Sequence, residues 1–186
     1  RWGNPAAYGR GEASDRLLFQ QHDPHWLLDE GPATSGGDPN NTVLLFNNGN
    51  GRPGGNGSTV DELTLPWEAA TGTYATPTPG GTDAFLPAAL DWSWPENIGP
   101  DFFSPNISGA QRLPNGNTLI CEGNQGHLFE IDANGETAWE YTTAYNQFGA
   151  IDQFDSPFGN STFRAYRYSP DFPGLEGIDL TPGPVV

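Results

Sequence analysis

The most informative stretch of this sequence is AQRLPNGNTLICE, residues 110–122. Strand-forming residues lie on either side of the Pro-Asn-Gly tripeptide at 114–116. Asn-Gly pairs readily adopt the positive φ angles of tight hairpin turns. The stretch therefore predicts two antiparallel strands, Ala110 to Leu113 and Asn117 to Glu122, joined by a turn.

Two further strands are predicted directly after this hairpin. The turn at 123–126 leads into a strand at His127 to Asp132, and a second Gly-containing turn leads into one at Thr137 to Tyr141. Four short antiparallel strands in sequence are the unit of a β-propeller blade.

An earlier segment repeats this arrangement with longer insertions. Residues 41–45 (NTVLL) correspond to 117–121 (NTLIC), and 91–94 (DWSW) correspond to 138–141 (AWEY). Such self-similarity is the signature of a repeat architecture. The strands of the earlier copy are predicted at His25 to Leu28, Thr42 to Phe46, Thr59 to Leu65 and Leu90 to Trp94.

The predicted fold class is all-β, and more specifically the C-terminal part of a single β-propeller domain. Its parts are a four-stranded blade at 25–94, a second blade at 110–141 and a closing tail at 142–186. A β-sandwich is the structural alternative, since it also joins short strands by Gly- and Pro-rich turns. Propellers close with roughly four to eight blades, so the missing blades are expected from upstream sequence, another chain or self-association into an oligomer.

The composition of the chain limits the kinds of binding partner and the cellular location that can be expected. The formal charge of −16, from 23 acidic and 7 basic residues, would repel a phosphate backbone, so no nucleic-acid partner is expected. No run approaches the roughly 18 apolar residues of a spanning helix, so no membrane span is expected either.

The single Cys121 is predicted to be a buried strand residue. Acidity suits a secreted or periplasmic protein, and an opening at Arg1 without Met suggests a processed or partial chain.

The first candidates for chemistry are two histidines, His22 and His25, placed immediately before the first predicted strand of the earlier blade. A histidine at a strand entrance can face the central cavity of a propeller. A metal site is the rival interpretation, because His22, Asp23 and His25 are all potential ligands. Pro24 restricts the backbone and no second His or Cys cluster completes a shell, so no metal is expected.

The second candidate is the loop at 47–52, with the sequence NNGNGR. It lacks the alternating Asp ligands and terminal Glu of an EF-hand, which argues against calcium. Arg52 is of interest because a planar guanidinium binds oxyanions well. A structural salt bridge is the alternative role for Arg52.

Several short motifs follow one another in a fixed order. They are Gln21-His22, Trp26, the apolar strand 43–46, the loop 47–52, Phe103-Ser104-Pro105 and Phe163-Arg164. Two longer signatures are also present, RWGNP at 1–5 and ISGAQRLPNGNTLI at 107–120. In this order the short motifs resemble the late blades of bacterial aryl-sulfate sulfotransferases. The two longer signatures are similar to those of a little-characterised branch of that family.

The resemblance implies a ping-pong reaction in which a histidine takes the sulfuryl group from a phenolic sulfate ester and passes it to another phenol. His22 is the matching residue, and a neutral imidazole is nucleophilic. Asn48, Arg52 and Ser108 are the implied substrate-binding residues, although a strict alignment places Ile107 at the hydroxyl-bearing position of the family. Neither a cofactor nor a nucleotide sulfate donor is implied.

Two other functions stay open at this point. One is a non-catalytic extracellular propeller used for binding, favoured by the departure at 106–108 and by the lack of donor-side blades in this sequence. The other is a structural subunit of a larger assembly, whose open blade edges pair with neighbours by strand addition.

Overall fold

Short β-strands make up nearly all the regular structure of the chain. The computed structural model describes residues 1–28, 32–34, 38–152 and 158–181. In chain order the strands are β1 Gln21–Trp26, β2 Thr42–Asn47, β3 Thr59–Thr64, β4 Trp67–Glu68, β5 Thr73–Tyr74, β6 Trp92–Trp94, β7 Gly109–Arg112, β8 Thr118–Glu122, β9 His127–Ile131, β10 Thr137–Thr142, β11 Tyr145–Asn146 and β12 Gly149–Ala150. Single turns of 3-10 helix lie at Pro5–Tyr8, Ala13–Asp15, Gly123–Gln125 and Pro173–Leu175. Within the described ranges, no helix has the length and apolar character needed to cross a membrane.

Most of these strands form two antiparallel four-stranded sheets. The first sheet has the order β1-β2-β3-β6 and the second has the order β10-β9-β8-β7, so each follows chain order. The predicted all-β class is confirmed. The turn at 114–116 also forms as predicted: Gly116 has a φ of 89°, and its N–H donates to the carbonyl of Leu113 at 2.8 Å.

The first strand departs from its predicted position. The sequence predicts it at His25 to Leu28, whereas β1 occupies Gln21–Trp26, so His22 lies within the strand rather than before it. The cause is a bulge between His22 and His25, where Asp23 has a left-handed φ of 55°. A bulge on an edge strand accommodates the proline that follows Asp23, because the missing N–H of a proline would disrupt a central strand.

The segment 66–87 contains one short hairpin, although its Thr, Pro, Gly and Ala content predicts an irregular surface excursion. β4 and β5 pair there, and the rings of Trp67 and Tyr74 meet edge to face with centroids 5.1 Å apart. Both rings are exposed. The segment therefore lies on the surface, as predicted, but it has its own small sheet.

One apolar core joins the two large sheets. Alternate side chains of each strand point into it, as the two-residue period of a strand requires. Phe102, from the segment between the sheets, packs edge to face against Phe46 and Phe129, with centroids 5.6 and 5.9 Å away. Burying each such side chain contributes about 1.5–3 kcal/mol, which holds the sheets together. The other buried members are Leu27, Ala33, Leu44, Val60, Ala110, Ile120 and Ile131.

The tail lies along the second sheet. The main chain of Arg167 makes two hydrogen bonds with the side chain of Gln111 in β7, at 3.1 and 2.7 Å. The carbonyl of Phe163 accepts from the N–H of Ser108 at 3.1 Å. Residues 153–157 and 182–186 of the predicted tail lie outside the described ranges.

Candidate active site

His22 lies on β1, at the edge of the first sheet, with its side chain half-buried. Its Nδ1 is 2.6 Å from Oδ1 of Asn48, just after β2. Among the described residues, no hydrogen bond reaches Nε2 of His22. Of the two imidazole nitrogens, Nδ1 therefore has a hydrogen-bond partner among the described residues and Nε2 does not.

The carboxamide of Asn48 is held in one orientation by its amino group. Nδ2 donates to the carbonyl of Ser104 at 2.8 Å and to that of Ile107 at 3.0 Å, so Oδ1 is the atom that faces His22. A carbonyl oxygen only accepts, which makes Nδ1 of His22 the protonated nitrogen. In a neutral imidazole the other nitrogen carries the lone pair, so Nε2 is the nucleophilic atom.

The loop that orients Asn48 has an unusual backbone. Ile107 and Ser108 have φ angles of 49° and 85°, a region that branched side chains rarely adopt. The hydroxyl of Ser108 donates to Oγ of Ser104 at 2.8 Å and accepts from the N–H of Gly123 at 3.0 Å. These bonds fix the loop against the second sheet, and strain of this kind concentrates at functional sites.

Ser108 is one of the predicted substrate-binding residues, and its side chain is fully buried. Its hydroxyl both donates and accepts inside the protein, so its role in this structure is to shape the loop. The alternative alignment, Ile107, contributes a main-chain carbonyl to Asn48. A direct substrate contact by Ser108 stays a prediction.

Arg52 lies apart from this network. Its Nη2 donates to Oγ1 of Thr59 at 3.3 Å, and its guanidinium covers the ring of Phe19 at 5.3 Å. Burial lowers the pKa of Arg52, and the charge of Asp61 opposes that lowering. Among the described residues no ion pair forms on Arg52 and no hydrogen bond joins it to His22. The salt-bridge alternative is thus not observed there, and anion binding by Arg52 stays a prediction.

Asp23, the neighbour of His22, has a partner that sequence reasoning missed. Its buried Oδ1 lies 3.0 Å from Nη1 of Arg164 and accepts from the hydroxyl of Tyr166 at 2.8 Å. Burial and the hydrogen bond to Asp23 raise the pKa of Tyr166 to about 12. The Phe163-Arg164 motif was the signal that could have found this contact, but Asp23 and Tyr166 are 143 positions apart.

The side chains of His22, Asp23 and His25 do not converge on one point. The ring of His22 turns to Asn48, whereas the carboxylate of Asp23 turns to Arg164. In the described part of the chain, no group of three or more His, Cys, Asp or Glu side chains is arranged to hold a metal ion.

Cys121 is buried on β8, as predicted. Burial raises the pKa of its thiol to about 12, with the charge of Asp23 acting in the same direction. A raised pKa lowers the fraction of thiolate, which is the form of cysteine that reacts as a nucleophile.

Comparison with models of known protein families, with curated proteins and with solved structures finds no match to this chain. The class of protein that the described residues define is an all-β protein with two packed four-stranded antiparallel sheets. A function has to be inferred from the geometry around His22 and from the sequence motifs.

Proposed function

We propose that this chain is part of an arylsulfotransferase-like β-propeller, in which Nε2 of His22 carries a sulfuryl group from a phenolic sulfate ester to a second phenol. The observation that carries the proposal is the 2.6 Å hydrogen bond between His22 and Asn48. It selects the imidazole tautomer whose free nitrogen is nucleophilic. A half-buried position supports the same role, because the ring is fixed but still reachable.

The bonds that change join Nε2 of His22, the sulfuryl group and the oxygens of the two phenols. Nε2 attacks sulfur, an N–S bond forms, and the bond between sulfur and the phenolic oxygen breaks, with the phenolate keeping the electron pair. Nδ1–H stays donated to Asn48, which stabilises the positive charge that the ring gains. The oxygen of the second phenol then attacks sulfur and loses its proton to water, and the N–S electron pair returns to His22.

The propeller part of the proposal rests on the sheets. Each of the two large sheets runs through four antiparallel strands in chain order, which is the topology of a blade. His22 lies on the first strand of its sheet, which is an edge strand. Further blades, and a secreted or periplasmic location, belong to the same proposal.

The test is the intact mass of the complete natural protein before and after incubation with p-nitrophenyl sulfate, with release of the phenol followed in parallel. We expect a gain of one sulfuryl group, mapped by peptide analysis to His22, together with phenol release. An unchanged mass and no phenol would overturn the proposal.

A non-catalytic binding propeller is the second candidate. It is favoured by the burial of Ser108 and by the absence, among the described residues, of a hydrogen bond between Arg52 and His22. Aromatic side chains exposed on β10 and in the tail, such as Trp139, Tyr141 and Phe172, offer contact area to a partner. Loss of partner binding in a Trp139→Ala variant, with no change of mass on incubation with aryl sulfate, would favour this candidate.

A further inference from the structure

We propose that a surface pocket formed by the N-terminal segment is a binding site for an aromatic anion. The pocket has a volume of about 300 Å³, close to the lower end of the range for small-molecule sites. Its principal lining residues are Arg1, Trp2, Tyr8, Arg16, Leu18 and Gln21.

The charge of the pocket is opposite to that of the protein. Two of the 7 basic residues line it and no Asp or Glu does, although the chain has 23 acidic residues. Three other arginines, Arg112, Arg164 and Arg167, pair with carboxylates. Among the described residues, no ion pair forms on Arg1 or Arg16. The pocket is therefore a local positive site in a strongly acidic protein, which favours an anionic ligand.

Arg16 has donors to offer to such a ligand. Its Nε donates to the carbonyl of Leu18 at 3.1 Å, and its guanidinium lies over the ring of Phe19 at 4.3 Å. Within the described ranges, its two terminal amino groups make no hydrogen bond. A guanidinium fixed in this way presents its planar fork to a sulfate or carboxylate.

Trp2, Tyr8 and Leu18 add flat or apolar walls to a lining that also includes the polar Asn4, Gln20 and Gln21. Trp2 is held by a hydrogen bond from Nε1 to the carbonyl of Pro87 at 2.7 Å. The guanidinium of Arg1 lies 5.9 Å from the ring of Tyr8. Aromatic and aliphatic walls beside cations favour a ligand that joins an aromatic ring to the negative group.

Internal contacts hold the segment in place without a ligand. The carbonyl of Gly3 accepts from the N–H groups of Leu17 and Leu18 at 2.8 and 3.1 Å. Arg10 ties the same segment to the carbonyl of Thr78 at 2.9 Å. A site formed in advance loses less free energy to ordering when it binds.

The pocket is separate from the reactive nitrogen. Gln21 borders it and immediately precedes His22, but successive side chains of a strand point to opposite faces of the sheet. The inference rests on the proposed function only in naming a sulfate ester as the natural anion. The shared chemistry, an aromatic ring with an anionic group, stands on the pocket alone.

The test is calorimetric titration of the complete natural protein carrying His22→Ala, so that no transfer occurs. The probes are naphthyl sulfate, naphthoate, naphthol and inorganic sulfate. We expect at least one of the two aromatic anions to bind about tenfold more tightly than naphthol or inorganic sulfate. The reason is that the aromatic ring and the anionic group both contribute to binding. Whichever of naphthyl sulfate and naphthoate binds more tightly shows whether the pocket prefers a sulfate ester or a carboxylate.

Variants locate the site. Arg16→Gln should weaken binding of the aromatic anion about tenfold, and Tyr8→Leu about threefold, because each removes one wall contact. Arg167→Gln is the control: it removes the same charge but lies in the tail and does not line the pocket, so we expect a change of less than about twofold.

Three results would overturn the inference: no binding of either aromatic anion, equal binding of naphthol, or equal weakening by Arg16→Gln and Arg167→Gln. The proposed function fails separately. If binding depends on Arg16 but no sulfuryl group is found on His22 in the unmodified protein, the pocket proposal is supported and the proposed transfer reaction is refuted. A sulfuryl group on His22 with no aromatic anion bound at Arg16 does the reverse.

Discussion

Arg112 in β7 donates from Nη2 to Oε2 of Glu62 in β3 at 2.9 Å, across the interface between the two large sheets. Both side chains are almost completely buried, and the guanidinium lies 5.0 Å from the ring centre of Trp92. This relationship makes one charged pair part of the contact that joins the sheets.

The first prediction concerns that pair. Arg112→Met should lower the free energy of unfolding by about 3–5 kcal/mol, because it leaves the carboxylate of Glu62 buried without its cation. The double variant Glu62→Met/Arg112→Met should recover most of the loss, since it buries no charge. Urea unfolding of the wild type and the two variants measures both effects, and a single variant as stable as the wild type would contradict the prediction.

The second prediction separates the two histidines of β1. His22→Ala should reduce sulfuryl transfer on the order of 10³-fold or more, because it removes the nucleophile. His25→Ala is the matched control, because His25 lies on the same strand and its Nδ1 faces the main-chain carbonyl of Asp23 at 2.8 Å. The rate of phenol release is measured for both variants. Equal losses of rate would contradict the proposed role of His22.

The third prediction assigns a positioning role to Asn48. Asn48→Leu should slow transfer on the order of 10²-fold, because Nδ1 of His22 loses its acceptor and the favoured tautomer with it. Asn48→Asp keeps an acceptor and should restore part of the rate. The ring ¹⁵N shifts of His22 give a readout that loss of packing alone would not move. An unchanged tautomer in Asn48→Leu would refute this role.

The fourth prediction is a pH dependence of stability. The hydrogen bond to Glu122 raises the pKa of His127, with Glu140 adding to it and burial opposing it. Protonated His127 lies 3.4 Å from each of these carboxylates, so its contribution to stability is fully present below the ordinary pKa of 6.5 and is lost as pH rises through the raised value. Thermal unfolding of His127→Gln should show a smaller fall over this interval than the wild type, and parallel curves would count against the effect.

The fifth prediction tests the contact between β7 and the bulge of β1. A Cβ added at Gly109 would lie 2.3 Å from Oδ2 of Asp23, whose carboxylate is held by Arg164. Gly109→Ala should therefore cost about 1–3 kcal/mol of unfolding free energy. Gly99→Ala is the control, because a Cβ there meets nothing within 4 Å, and we expect a change of less than about 0.5 kcal/mol. Similar losses in the two variants would show that crowding at Asp23 is unimportant.

Strands with strong local signals could be predicted from the sequence. The strand predicted at Thr42 to Phe46 forms as β2, Thr42–Asn47, which is one residue longer. It could be predicted because its β-branched and apolar residues are bounded by Asn and Gly. β1 could not be placed in the same way. Its polar run depends on a bulge at Asp23, and that bulge is stabilised by Arg164 from the distant tail.

The candidate site was also only partly predictable from the sequence. His22 and Asn48 were each singled out by motif, and their contact follows from the pairing of β1 with β2, where His22 is opposite Phe46. The orientation of the Asn48 amide was not predictable, because it is set by carbonyls of Ser104 and Ile107 more than fifty positions away. Long-range main-chain contacts of this kind leave no local pattern in a sequence.

The route by which Asn48 is oriented has a consequence for regulation. The carbonyls that orient it belong to the loop entering the second sheet, so the bias of His22 towards one tautomer depends on the contact between the two sheets. Partial separation of the sheets would remove this bias while leaving the imidazole chemically intact. If His22 carries the sulfuryl group as proposed, a lower rate of transfer would then report on the loss of the contact between the sheets.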